Sequence, residues 1–253
     1  MRVSNFVNIS RSLVIAGLFY LTLASNSFGD DAASFNQSGL TKAGKGDFDG
    51  ALADLNKAID LNPDFAAAYD TRGAVKKAEG DLDGALTDLN KAIGLNPNLF
   101  SSHLNRAYIN TVKGNLQGAL DDYNEGIELS PISLNPASLA DAYSNRGSVK
   151  DAMTNEAGAI LDFTKAIELK PFFPDAYVNR GVAKYKKGDL DSASADFTKA
   201  IELKPDLAGA YLNRSVVKQI KGDWDGSTAD YNKAIELNPA LKNVKKTFYI
   251  RNN

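Results

Sequence analysis

The stretch AYVNRGVAKYKKGDLDSASADFTKAIELKP, residues 176–205, reads as two helices joined by a Gly-Asp turn and stopped by a proline. Apolar and small residues recur at helical spacing in its second half, at Leu190, Ala193, Phe197, Ala200 and Ile201. Gly188 suits the positive φ that ends a helix, and Asp189 brings a carboxylate to the start of the next one. Pro205 cannot continue that second helix. Much the same text occurs six times. The closing prolines are Pro63, Pro97, Pro131, Pro171, Pro205 and Pro239, and four of their five spacings are 34 residues.

Self-similarity at this period, with two helices per unit, resembles the tetratricopeptide repeat (TPR) family. Six units fall at 32–65, 66–99, 100–133, 140–173, 174–207 and 208–241, and positions within each are counted from 1 to 34. The resemblance implies an all-α fold: an α-solenoid, wound as a right-handed superhelix, of six helix-turn-helix units with a short C-terminal capping segment. Position 8 is small in every unit (Gly39, Gly73, Ala107, Gly147, Gly181 and Ser215), which lets the second helix approach the first closely. A lone helix pair cannot bury its apolar stripe, whereas stacked neighbours cover one another.

Composition is that of a soluble chain, 43% hydrophobic and 24% charged with net charge −2. The only basic grouping is Lys242, Lys245 and Lys246, so nucleic acid is not an expected partner. The chain has no cysteine, which removes disulfides, thiol catalysis and thiolate metal sites.

Residues 1–29 differ in kind from the repeats. Arg2 and Arg11 precede an apolar run at 12–24, and the small residues Ser27 and Gly29 follow it. These are the three regions of a secretory signal peptide, with cleavage expected after Gly29. The expected location is therefore exported, periplasmic or secreted, with no membrane insertion once the signal is removed. The alternative is a membrane tether through an uncleaved N-terminal segment, for which the run is short. Residues 134–139 interrupt the 34-residue phase and are expected to lengthen a surface loop; a division into two blocks of three repeats is the other reading. Ser138 and Asp141 resemble a capping box opening the next helix. In the fourth unit Thr154-Asn155 replaces Gly-Asp, and asparagine, which tolerates the left-handed region, is expected to keep the turn. Phe173 is expected in the core and Phe172 packed on the next helix. Residues 242–253, with Val244 and Phe248 one turn apart, are expected to cap the last apolar face.

A charged constellation recurs inside the repeat. Position 7 holds Arg72, Arg106, Arg146, Arg180 and Arg214, with Ser38 in the first unit. Position 23 is aspartate throughout: Asp54, Asp88, Asp122, Asp162, Asp196 and Asp230. Position 11 is lysine in five units and Asn110 in the third. An unpaired charge between packed helices is costly, so each arginine is expected to pair with the aspartate of its own unit, and the lysine to join them. The lysine at position 26 competes for the aspartate, and an arginine-lined ligand site is the functional alternative.

The resemblance also implies that the first helix of each unit lines a concave surface. Position 6 there carries Asn105, Asn145, Asn179 and Asn213, whose amides both donate to and accept from a peptide backbone. Apolar neighbours complete the expected groove: Tyr108, Val178, Val182, Tyr185, Leu212 and Val216. The alternative is that these asparagines face water or bond within their own helices. The carboxylate clamp of chaperone-tail receptors in this family needs lysine at position 5 and asparagine at position 9, and neither is present. The sole histidine, His103, occupies a bulky core position, and no nucleophile motif, phosphate loop or metal-ligand spacing appears. No enzyme activity and no cofactor are expected. The expected function is a protein–protein interaction scaffold holding an extended segment of a partner protein in its groove. The alternative is a structural adaptor docked by its edge or convex face into a cell-envelope assembly of the pilus or outer-membrane kind. The sequence sets no oligomeric state.

Overall fold

The computed structural model describes residues 27–131 and 135–243. The expected signal peptide, up to residue 26, lies outside the described residues, as do Val244, Phe248 and Tyr249 of the expected cap. Among the described residues there are twelve α-helices and no strand. In chain order they are α1 (Ser27–Gly44), α2 (Phe48–Leu61), α3 (Ala66–Glu79), α4 (Leu82–Leu95), α5 (Phe100–Val112) and α6 (Leu116–Glu128). Then come α7 (Pro136–Ala152), α8 (Glu156–Leu169), α9 (Pro174–Lys186), α10 (Leu190–Leu203), α11 (Ala208–Ile220) and α12 (Trp224–Leu237), followed by a 3-10 turn over Pro239–Asn243. The array is an all-α solenoid of helix pairs.

The turn chemistry explains where the helices stop. Gly46, Gly80, Gly114, Gly188 and Gly222 all have positive φ, and the amide after each bonds back five residues, as Asp189 N–H does to the Lys184 carbonyl at 3.0 Å. The residue after the glycine then caps the second helix: Asp47, Asp81, Asn115, Asp189 and Asp223 each accept from the backbone N–H three residues on. At the far end Asn62, with φ −140° and ψ 91°, is extended, as the residue before a proline must be.

Packing separates two compact units at residues 149 and 150, and each has its own core. In the first unit, α1 packs on α2, α3 on α4 and α5 on α6, with α2 against α3 and α4 against α5. The buried residue at position 24 of one repeat meets position 10 of the next: Leu55 with Val75, and Leu89 with Ile109. In the second unit the same contact is made by Phe163 with Ala183 and by Phe197 with Val217. Each such large side chain is worth roughly 1.5–3 kcal/mol when fully buried. Gly181 is a point of close approach, since a Cβ there would lie 2.7 Å from the Phe197 ring.

Four details differ from the sequence expectation. The helix α1 begins at Ser27, five residues before the first repeat boundary, and its Ala32 is buried. Residues 136–139 of the insertion are not loop but the first turn of α7, opened by Asn135, whose side chain accepts from Ala137 N–H at 2.9 Å. Ser138 is therefore buried within the helix and does not cap it. In the fourth unit the left-handed position falls on Thr154, φ 59°, and Asn155 instead caps α8. Phe172 is 81% exposed, whereas Phe173 is buried beneath the Lys170 ammonium.

A β-branched residue in the left-handed region costs on the order of 1–2 kcal/mol. Thr154→Gly is expected to stabilise the second unit by about 1 kcal/mol, read as a higher urea midpoint at unchanged slope. Gly181→Ala is expected to destabilise it by about 1–3 kcal/mol, because the Phe197 ring has no room to withdraw. A neutral result for either substitution contradicts the geometry.

Candidate functional site

The repeat aspartates lie on the second helices and are all buried. Asp88 takes a bidentate fork from Arg72, Nη2 at 2.6 Å and Nε at 2.9 Å, and Lys76 Nζ at 2.8 Å. Arg106 grips Asp122 in the same way, with Nη2 to Oδ1 at 2.6 Å. Arg180 and Arg214 do so with Asp196 and Asp230, each through Nη2 at 2.7 Å, joined by Lys184 and Lys218. In the first repeat Ser38 Oγ takes the arginine's place, 2.6 Å from Asp54, beside Lys42. In the third, Asn110 replaces the lysine and donates to Asp122 at 3.1 Å. Asp162 accepts from Lys150 at 2.8 Å, and Arg146 donates to Asn124 at 3.0 Å. The position-26 lysines Lys165, Lys199 and Lys233 pair instead with glutamates one turn on.

Sequence reasoning missed the other half of the arginine's work. Its Nη1 reaches back to position 25 of the preceding repeat: Arg72 to Asn56, Arg106 to Asn90, Arg180 to Thr164 and Arg214 to Thr198, at 2.7–3.1 Å. The signal was a side-chain oxygen at that position in each preceding unit. Above the guanidiniums of Arg72, Arg146, Arg180 and Arg214 lies the tyrosine ring of position 4, as Tyr177 over Arg180 at 5.5 Å. Burial pulls the Asp230 carboxyl up, but hydrogen bonds from Arg214 and Lys218 outweigh it and leave the pKa below its ordinary value. Asp54 is likewise lowered, chiefly by Lys42 and then by Ser38.

The first-helix faces carry the expected groove residues. In the first unit Asn105 on α5 is buried, and its Oδ1 accepts from Lys77 Nζ at 2.5 Å. Tyr108 packs against the Ala85–Leu89–Ile109 cluster. Asn145 on α7 is buried, and its Nδ2 has no hydrogen-bond partner among the described residues. It lies beside the Tyr123 hydroxyl, where burial pushes the phenol well above its ordinary range. In the second unit Asn179 and Asn213 are half-buried on α9 and α11, and Asn179 Nδ2 has no partner. Val178, Val182 and Tyr185 are half-buried against the Ala193–Phe197–Val217 cluster, so they serve the core as well as the face. Leu212 and Val216 are half-buried on α11. Not foreseen from the sequence were Gln219, whose Oε1 is buried without a partner, and the polar group Asp70, Lys77, Ser101 and Ser102. Among the described residues no cluster of three or more metal-ligating side chains occurs, and no helix is long and apolar enough to cross a membrane.

Sequence profiles described as Tetratricopeptide repeat match residues 71–131, 140–173 and 174–207, and one described as TPR repeat matches 39–78. The chain belongs to the tetratricopeptide repeat family. Among solved structures it is similar to pilF of Pseudomonas aeruginosa, with TM-score 0.72 and 19% identity over 88% of this chain and 97% of that one. It is also similar to MamA, with TM-score 0.60 and 26% identity over 67% and 96% of the two chains. A third is YrrB, described as a TPR protein with an unusual peptide-binding site, with TM-score 0.63 and 22% identity over 73% and 92%. A search of curated proteins finds no match. The array is thus a protein-interaction scaffold of the TPR kind.

Asp196→Ala leaves two half-buried cations without their carboxylate and is expected to cost about 3 kcal/mol, against less than about 0.5 kcal/mol for the exposed Asp206→Ala. The depressed Asp54 and Asp230 carboxyls contribute stability that is fully present above their ordinary pKa. That contribution is lost as pH falls through the lower folded values. Thermal melts should therefore show stability dropping below about pH 4, with a shallower drop in Asp230→Asn.

Proposed function

We propose that this scaffold is non-catalytic and holds an extended segment of another protein along the first-helix faces of its repeats. The observation that carries the reading is the Asn179 amide: its Nδ2 is shielded from water and has no acceptor among the described residues. An unmet buried donor costs roughly 1–3 kcal/mol, and native proteins rarely leave one so. A backbone carbonyl of a bound segment supplies the missing acceptor once the half-buried side chain turns outward to meet it. Asn213 on the next first helix and the half-buried Val178, Val182, Leu212 and Val216 supply further polar and apolar contacts in the same unit. The apolar leader at 12–24 supports export, so the partner is sought in the cell envelope or outside it.

The test is capture of the partner from the envelope fraction, followed by affinity measurement with Asn179→Ala plus Asn213→Ala. Two lost contacts of about 1 kcal/mol each are expected to weaken binding roughly thirtyfold, with the circular dichroism spectrum unchanged. Undiminished binding by the folded double variant would instead place the partner on an edge or convex face, as an adaptor in an envelope assembly would have it.

A further inference from the structure

The lysine at position 11 closes on its repeat aspartate in five of the six repeats, but Lys77, one residue further along α3, does not. Its side chain is buried, 9% exposed, and its ammonium donates to the neutral Asn105 Oδ1. It also lies 5.2 Å from the centre of the Tyr108 ring. Asp70 stands two turns earlier on the same helix, yet its carboxylate oxygens take the hydroxyls of Ser101 and Ser102, each at 2.7 Å. Among the described residues no carboxylate forms an ion pair with Lys77. Burial lowers the Lys77 pKa to about 8, with Asp70 acting in the opposite direction, so most of the population is an ammonium at neutral pH.

A buried cation whose hydrogen-bond partner is neutral, with the nearest carboxylate, Asp70, engaged by Ser101 and Ser102, is an expensive arrangement. An ammonium has three donors, and Asn105 occupies one. The remaining donors call for electron-rich oxygen, and only a carboxylate would also neutralise the charge. We propose that Lys77 receives the side-chain carboxylate of an acidic residue in the segment bound by the first unit. This rests on the peptide-binding reading above and adds the chemistry of one residue of the partner. The site differs from a carboxylate clamp, since Lys77 stands at position 12 of its repeat and Asn105 at position 6 of the next.

The experiment is a titration followed by amide and lysine NMR with blocked five-residue peptides, one with a central glutamate and one with glutamine in its place. A third peptide carries the glutamine and a free C-terminal carboxylate. The full chain is expected to bind the glutamate peptide about tenfold tighter than its blocked isostere, by one charge-assisted hydrogen bond. That ratio should fall to about one in Lys77→Met and survive in Lys77→Arg. Should Lys77→Met not fold, Asn105→Asp erases the preference by a second route, because it gives the ammonium an internal carboxylate. Equal binding of the two blocked peptides overturns the proposal and leaves the groove reading intact, as does a preference that persists in Lys77→Met. Preference for the free-terminus peptide over the glutamate peptide overturns the side-chain assignment. Failure of all three to bind at millimolar concentration overturns both readings.

Discussion

A dehydrated carboxylate is buried in each helix pair, and the rest of the repeat is arranged to supply its donors. An aspartate at position 23 is tolerable there only because a planar guanidinium and an ammonium arrive from the facing helix. That requirement fixes the register of the two helices to within a hydrogen bond. The small residue at position 8 answers to a different neighbour, since a Cβ on Gly39, Gly73 or Gly181 would run into Leu55, Leu89 or Phe197 at position 24 of the same repeat. Apolar burial between repeats supplies most of the cohesion, but it is indifferent to a slip of one helical turn in a way that a bidentate fork is not.

The variations among copies show which part of the arrangement is indispensable. Ser38 lacks charge and length, yet its hydroxyl reaches Asp54. Asn110 lacks charge, and its amide reaches Asp122. In the third repeat His103 adds a ring whose Nε2 is bonded to the Pro97 carbonyl, with Nδ1 3.5 Å from Asp122. Donors are exchanged freely around the aspartate, while the acceptor itself never changes. What is preserved is therefore the buried anion and the presence of donors around it, whereas their number and the net charge of the cluster vary: Asp54 has Ser38 and Lys42, and Asp88 has the Arg72 fork and Lys76.

The helices, their caps and the aspartate's partners were legible because each follows from a residue type recurring at a fixed position. The period turned twelve weak local signals into one strong one. Thr154 was not legible, since propensity puts the left-handed turn on the neighbouring asparagine, whereas the cap geometry demands that Asn155 bond to Gly158 and leaves Thr154 to absorb the strain. Nor was the helical start at Pro136, because Pro131 and Pro136 both look like chain breaks until one of them proves to be a first-turn proline. Of the residues expected to line a groove, only the helix that carries each was legible. Periodicity placed the asparagines on one helix face, but it could not say that Asn105 and Asn145 would be buried while Asn179 and Asn213 stay half-exposed. Lys77 escaped because it breaks the pattern, and periodic reasoning is blind to what occurs once.

The backward reach of each guanidinium gives the array a polarity. Arg180 needs Thr164 behind it and Arg214 needs Thr198, so a repeat carries its acceptor for the unit that follows and its donor for the unit that came before. Concatenation is consequently vectorial: a copy of residues 174–207 spliced in after residue 207 would find Thr198 waiting and would present a fresh hydroxyl to its successor. Growth of such an array by duplication is thereby permitted in 34-residue steps along one direction, with the joint chemistry supplied in advance by the sequence being copied.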